Sequence, residues 1–205
     1  MEQQCSRLVE TNNLDKVFKT FKRNYILVPL EVFGKNPYKT LISTLLSSRT
    51  RDELTLIKSK DLFKKADSFQ KLKKLSLERI QETIYPVGFY KIKTKHLKEL
   101  ANTITKVPKT REELMKLPGV GRKTANLVLN RAFGIPAIAV DTHVHRICNA
   151  LGWVRTKTPE QTEKELIKII PESYWSDMNR LFVSIGRQYT TNRRLSEFLK
   201  KERLI

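Results

Sequence analysis

The sequence predicts an all-α protein. Three observations carry that expectation. Only 7 glycines and 8 prolines interrupt 205 residues; apolar residues recur at helical spacing between those breaks; and several segments open on N-capping residues. A chain of this length encloses a sizeable apolar core, as one large domain or two small ones.

Residues 1–24 read as an amphipathic helix with Leu14, Val17, Phe18 and Phe21 on one face. Pro29, Gly34 and Pro37 make 28–37 a loop-rich approach. Leu41, Ile42, Leu45 and Leu46 then stripe a short buried helix over 38–48. The polar run Ser48-Arg49-Thr50-Arg51-Asp52 breaks it, and a further helix covers 52–65. Two Lys-rich amphipathic stretches follow at about 68–84 and 90–106, separated by Pro86-Val87-Gly88-Phe89-Tyr90. Thr110-Arg111-Glu112-Glu113 is a capping box: the Thr side chain caps a backbone N–H and Glu113 reaches back. It opens a short helix that stops near Pro118, and a longer one runs from Arg122 to Phe133, ending at Gly134.

Ile135–Val140 has strand-like composition but no partner strand, so it reads as buried extended chain. Asp141 caps a helix through about Leu151. Thr158-Pro159-Glu160-Gln161 is a second capping box with Pro at the first helical position, opening 159–170. Helices at about 175–188 and 193–204 complete the chain, which has no heptad run, low-complexity tract or fixed-period repeat.

A net charge of +19 is too large for an enzyme of small neutral metabolites and points to a polyanionic partner. No apolar run approaches the ~20 residues that span a bilayer. The first seven residues lack the apolar core of a secretory signal, so an intracellular protein with no membrane partner is expected. Two cysteines, Cys5 and Cys148, are too few for a disulfide scaffold, an all-cysteine zinc site or an iron–sulfur cluster, and reduced thiols are expected.

The segment richest in chemistry is Leu117-Pro118-Gly119-Val120-Gly121-Arg122-Lys123-Thr124, between two helices. Two glycines one residue apart permit a tight turn with positive φ and leave the backbone bare. The amides after the turn open a helix, where unpaired N–H groups and the dipole favour an anion. On an acidic chain this would be an ordinary helical hairpin. On a chain of +19 it reads as a helix–hairpin–helix gripping a nucleic-acid backbone through Gly119, Val120, Gly121, Arg122 and Thr124.

Lys123 and Asp141 form the informative pair. A lysine in the first turn of a helix, partly buried and beside Arg122, loses its proton more readily and becomes nucleophilic. An aspartate at a helix N-cap beside an apolar run stays ionised and suits an oxocarbenium-like sugar. From spacing alone, a surface phosphate-binding lysine and a plain capping aspartate remain open. Asp141-x-His143-x-His145 is not a metal motif on a helix, where side chains two apart diverge by roughly 200°.

Residues 37–152 resemble the endonuclease III family of helix–hairpin–helix DNA glycosylases. The matching text is Leu45-Leu46-Ser47, then Gly88-Phe89-Tyr90 before a Lys-rich helix, and Leu117–Asn126 through Ala132-Phe133-Gly134 to Ala139-Val140-Asp141-Thr142-His143. The resemblance implies two helical subdomains with the active site in the cleft between them. One is a six-helix barrel over 25–135, and the other joins 1–24 to 136–205. It implies that Lys123 is the Schiff-base nucleophile and Asp141 its assistant; His143, in place of a metal role, is read as helping to order the cleft. It further implies that Arg49 and Phe89 fill the space left by an extruded nucleotide, where many relatives carry Gln and Leu.

The implied activity is that of a bifunctional glycosylase and AP lyase, removing oxidised pyrimidines from damaged or abasic duplex DNA and nicking the strand by β-elimination. A monomer is expected, in the cytoplasm or nucleoid, or in the nucleus of a eukaryote. Many relatives hold an iron–sulfur cluster just after a Gly-Arg motif. Here Gly186-Arg187-Gln188-Tyr189 is followed by Thr190 and no cysteine, so no cluster is expected, and Arg193 and Arg194 are the candidates for its phosphate contacts. The resemblance allows a monovalent cation on the hairpin carbonyls, which residue identities do not decide. The alternatives are a mismatch- or oxidised-purine-directed glycosylase of the same fold, and a non-catalytic DNA-binding module that keeps only the hairpin.

Overall fold

A computed structural model describes residues 11–205, so Cys5 and the expected helix over 1–10 lie outside the described residues. Twelve α-helices and two short 3-10 turns are present among them, with no strand. The helices are α1 (Thr11–Arg23), α2 (Pro37–Ser47), α3 (Asp52–Lys65), α4 (Phe69–Lys74), α5 (Leu77–Ile84), α6 (Tyr90–Thr103), α7 (Arg111–Met115), α8 (Arg122–Phe133), α9 (Thr142–Ala150), α10 (Pro159–Ile169), α11 (Trp175–Gln188) and α12 (Asn192–Lys201).

The chain divides into two compact units, Pro29–Ile135 and the described residues to Val28 with Pro136–Ile205. In the first unit α2 packs on α3 and α8, α4 and α5 pack on α6, and α7 packs on α8. Leu41, Ile42, Leu46, Leu62, Leu97 and Leu100 are fully excluded from solvent there. In the second, α1 and α9 both pack on α11 and α10 packs on α9. Leu14, Val17, Phe18 and Phe21 all face that core, with the Phe21 ring edge-on to Phe182 at 4.9 Å. Burying each such side chain contributes roughly 1.5–3 kcal/mol.

Helix ends follow the capping residues. Asn36, Ser68, Ser76, Thr110, Thr158 and Thr191 each accept a backbone N–H at an N-terminus. Gly134 closes α8 in the left-handed region at φ 67°. Three expectations are corrected. The stretch 68–84 is two helices, because Ser76 caps a new start and Lys98 of α6 takes the Lys73 and Leu75 carbonyls at 2.7 and 2.6 Å. The Glu113 carboxylate accepts from the Thr110 hydroxyl at 2.7 Å instead of reaching back to a backbone N–H. The loop 28–37 contains a 3-10 turn over Pro29–Phe33. Residues 136–140 are extended and not paired as a strand, with Ala137, Ile138, Ala139 and Val140 buried.

No helix among the described residues is long and apolar enough to cross a membrane. Nor do they contain a group of three or more His, Cys, Asp or Glu side chains that could hold a metal.

Candidate active site

In the Pro29–Ile135 unit the hairpin is built from α7, a tight turn and α8. Leu117 N–H donates back to Leu114 O at 3.1 Å and Val120 N–H to Leu117 O at 3.1 Å. Gly119 takes φ 73°, a region that favours glycine, and Val120 is buried as the anchor of the turn. The Arg111 guanidinium donates to the buried Asn126 amide oxygen at 2.8 Å, bracing α7 against α8. Gly121 is the N-cap of α8 and offers no side-chain cap, so the first amides of α8 keep the anion-binding character of a helix start.

Arg122 and Lys123 are exposed on the first turn of α8, and Thr124 is half-buried. The partial burial expected of Lys123 is therefore corrected: the buried face of α8 begins at Ala125, two residues later.

Arg49 and Phe89, far apart in sequence, are brought together. The Arg49 guanidinium lies over the Phe89 ring at 5.2 Å, a cation–π distance. Both residues sit in the left-handed region, at φ 50° and 58°. Such a conformation costs about 1–2 kcal/mol in a residue with a Cβ, and surrounding contacts must hold it. Phe89 is 54% exposed despite its size. Beside the pair is a cavity of about 350 Å³ lined by Leu45, Ser48, Ile92, Lys93, His96 and Gly119 as well. It therefore joins the loop pair to the hairpin.

In the second unit Asp141 caps α9, its Oδ1 accepting from the His143 and Val144 amides at 2.9 Å each. The Asn179 amide donates to Ala139 O at 2.9 Å and fixes the extended chain leading into Asp141. The half-buried His143 ring packs where a side chain on Gly186 of α11 would otherwise stand. His145 bonds Thr162 of α10 through Nδ1 at 2.6 Å. Burial, and the Asp141 charge secondarily, push the Cys148 thiol well up. Arg193 and Arg194 are exposed at the start of α12, and Arg193 pairs with Glu197 at 2.9 Å.

Thus Gly119 through Thr124 share one hairpin, Arg49 meets Phe89, and Asp141 and His143 share the first turn of α9. Lys123 and Asp141 belong to different units. Sequence reading missed Lys93, His96 and Asn179. Only Asn179 left a signal, as a polar residue within the apolar stripe of Met178, Leu181 and Phe182.

A bare-backbone hairpin opening a helix, on an all-helical chain of net charge +19, defines a helix–hairpin–helix nucleic-acid-binding protein. Residues 42–172 match the family model described as HhH-GPD superfamily base excision DNA repair protein. Endonuclease III of Thermotoga maritima is 45% identical over 178 residues, 84% of this chain and 80% of that one. The Bacillus subtilis endonuclease III is 37% identical over 182 residues, 86% and 81% of the two chains. A solved trapped endonuclease III–DNA covalent intermediate, an estranged-adenine complex, superposes with a TM-score of 0.79 at 37% identity, covering 89% of this chain and 86% of that one. The chain belongs to the endonuclease III family, a base-excision DNA repair family of DNA glycosylases with AP lyase activity.

Proposed function

We propose that this enzyme removes oxidised pyrimidines from duplex DNA and cuts the strand at the abasic site, with Lys123 as nucleophile and Asp141 as its assistant. The observation that carries the reading is an exposed lysine on the first helical turn after the hairpin grip. A covalent enzyme–DNA intermediate, as trapped in the structural relative, requires a protein nucleophile, and Lys123 stands where the DNA backbone would be held.

The duplex is captured by phosphate contacts to the hairpin and basic surface, including Arg122, Arg193 and Arg194. The damaged nucleotide is turned out of the stack at a cost of a few kcal/mol, lower for a poorly stacked lesion. Arg49 and Phe89 occupy the space it leaves: the guanidinium hydrogen-bonds the base opposite and the ring stacks. His143 orders the turn that carries Asp141.

The Lys123 amine attacks C1′ of the deoxyribose. The glycosidic bond breaks, the base departs with its electron pair and is protonated, and the Asp141 carboxylate stabilises positive charge on the sugar. The C1′–O4′ bond then opens, O4′ takes a proton and an iminium links Lys123 to C1′. Loss of a C2′ proton expels the 3′ phosphate, and water hydrolyses the imine to release the lysine and an unsaturated aldehyde.

The reading carries no iron–sulfur cluster. The sequence holds two cysteines, and the residues after Gly186 do not fit four thiolates. Tyr189 stacks on Phe198 at 4.3 Å, and Leu195, Phe198 and Leu199 fill the core from α12. One chain supplies every group invoked, so a monomer suffices.

A panel of duplexes carrying single lesions tests the reading under single-turnover conditions. Oxidised pyrimidines should be released and the strand nicked, while Lys123→Gln and Asp141→Asn lose both steps by at least about a hundredfold yet still bind duplex. Release confined to mismatched bases or oxidised purines would assign the enzyme to the other branch of the fold. Binding without release of any base would leave only a DNA-binding module.

A further inference from the structure

We infer that Lys93 is a positioning residue for strand recognition: it ties the loop carrying Arg49 to the loop carrying Phe89. The inference rests on the reading that Arg49 and Phe89 act on the strand opposite the lesion.

Lys93 lies on α6 and is only 6% exposed, unusual for a lysine. Its ammonium donates to Leu46 O at 2.8 Å, Ser48 O at 2.6 Å and Thr50 Oγ1 at 3.3 Å, using all three protons. All three acceptors are uncharged, so the charge is buried without a carboxylate. Burial draws its pKa down to about 8.

Those acceptors surround Arg49. Leu46 and Ser48 bracket the end of α2, where Ser48 takes φ −58° and ψ 126° and no glycine follows to close the helix. The chain then turns left-handed at Arg49. Thr50 Oγ1 also accepts the Gly88 amide at 3.0 Å, so one hydroxyl is shared between Lys93 and the second loop. A side chain on Gly88 would collide with the Arg49 carbonyl, so the two backbones touch there. Phe89 follows at once, also left-handed.

Two residues in a costly conformation persist only where neighbours over-determine them. Lys93 reaches the first loop directly and the second through Thr50. It also lines the cavity on which Arg49 and Phe89 border. If capping α2 were its only task, glycine after the helix would serve without burying a charge.

Opposite-base profiling tests the tie. kcat/KM is measured for one lesion facing each of the four bases, and for a single-stranded abasic oligonucleotide that has no opposite base. Lys93→Met should flatten the spread among the four duplexes to within about twofold and lose about tenfold more activity on duplex than on single strand, the scale of a lost charged hydrogen bond. Thr50→Val, which keeps the charge but cuts the link to Gly88, should shift both readouts the same way, and decides alone if Lys93→Met does not fold. Equal losses on both substrates, or an unaltered spread, would overturn the inference. Arg49→Ala and Phe89→Ala separate the two levels. If they flatten the spread and the Lys93 and Thr50 variants do not, the tie alone fails. If neither alters it, the underlying reading of the loops fails and takes the tie with it.

Discussion

The imidazole of His96 occupies the space that a side chain at position 119 would need. A Cβ on Gly119 would stand 2.5 Å from His96 Nδ1, and the backbone there has φ 73°. The hairpin is thus seated on α6 by the absence of a side chain. Gly119→Ala should cost about 1–3 kcal/mol from strain and collision together and weaken duplex binding. Adding His96→Ala should restore part of the stability by removing the collision while the backbone strain remains. Urea denaturation of the single and double variants checks this, and no recovery in the double variant would contradict the packing described.

Arg146 holds the end of α11. Its guanidinium donates to Thr190 O at 2.7 Å, Gly186 O at 3.1 Å and Tyr189 O at 2.6 Å. A cation bonded to the last carbonyls of a helix also meets the negative end of its dipole. These contacts close the turn between α11 and α12. Arg146→Met, which keeps most of the stem, should lower unfolding stability by about 2 kcal/mol. A shift below about 0.5 kcal/mol in urea denaturation would show that the turn is held by apolar packing instead.

Lys93 makes stability depend on pH in a definite direction. Its folded pKa of about 8 lies below the ordinary 10.5 because burial disfavours the ammonium. Between those values the unfolded chain binds more protons than the folded one, so this group adds stability as pH rises. The stability of wild type relative to Lys93→Met should therefore increase between pH 7 and pH 10, by up to about 3 kcal/mol. Parallel pH–stability curves for the two proteins would contradict the burial of this charge.

Local features were the most legible. Thr110, Thr158, Asp141 and Gly134 marked helix ends because capping chemistry acts over a few residues. The hairpin was legible for the same reason: glycine spacing and the following helix start are contiguous. Lys93 was not, since it stands among Lys91, Lys95 and Lys98 in a helix whose charge pattern reads as solvated. Nothing in Arg49 or Phe89 announces a left-handed backbone, which neither residue favours. The break at Ser76 was hidden because Leu72, Leu75 and Ile80 continue a helical spacing across it. Lys123 was expected to be partly buried from its neighbours in sequence, whereas exposure depends on which face of α8 packs.

The central claim is that one amine, that of Lys123, becomes covalently joined to deoxyribose. Borohydride reduction during turnover on a lesion-bearing duplex, followed by nuclease and trypsin digestion and mass spectrometry, tests it most directly. Reduction should leave a sugar remnant on Lys123 that blocks cleavage after it, so the modified peptide begins at Lys123 and runs to Arg131. A remnant mapped to any other lysine, or no adduct despite base release, would contradict the account.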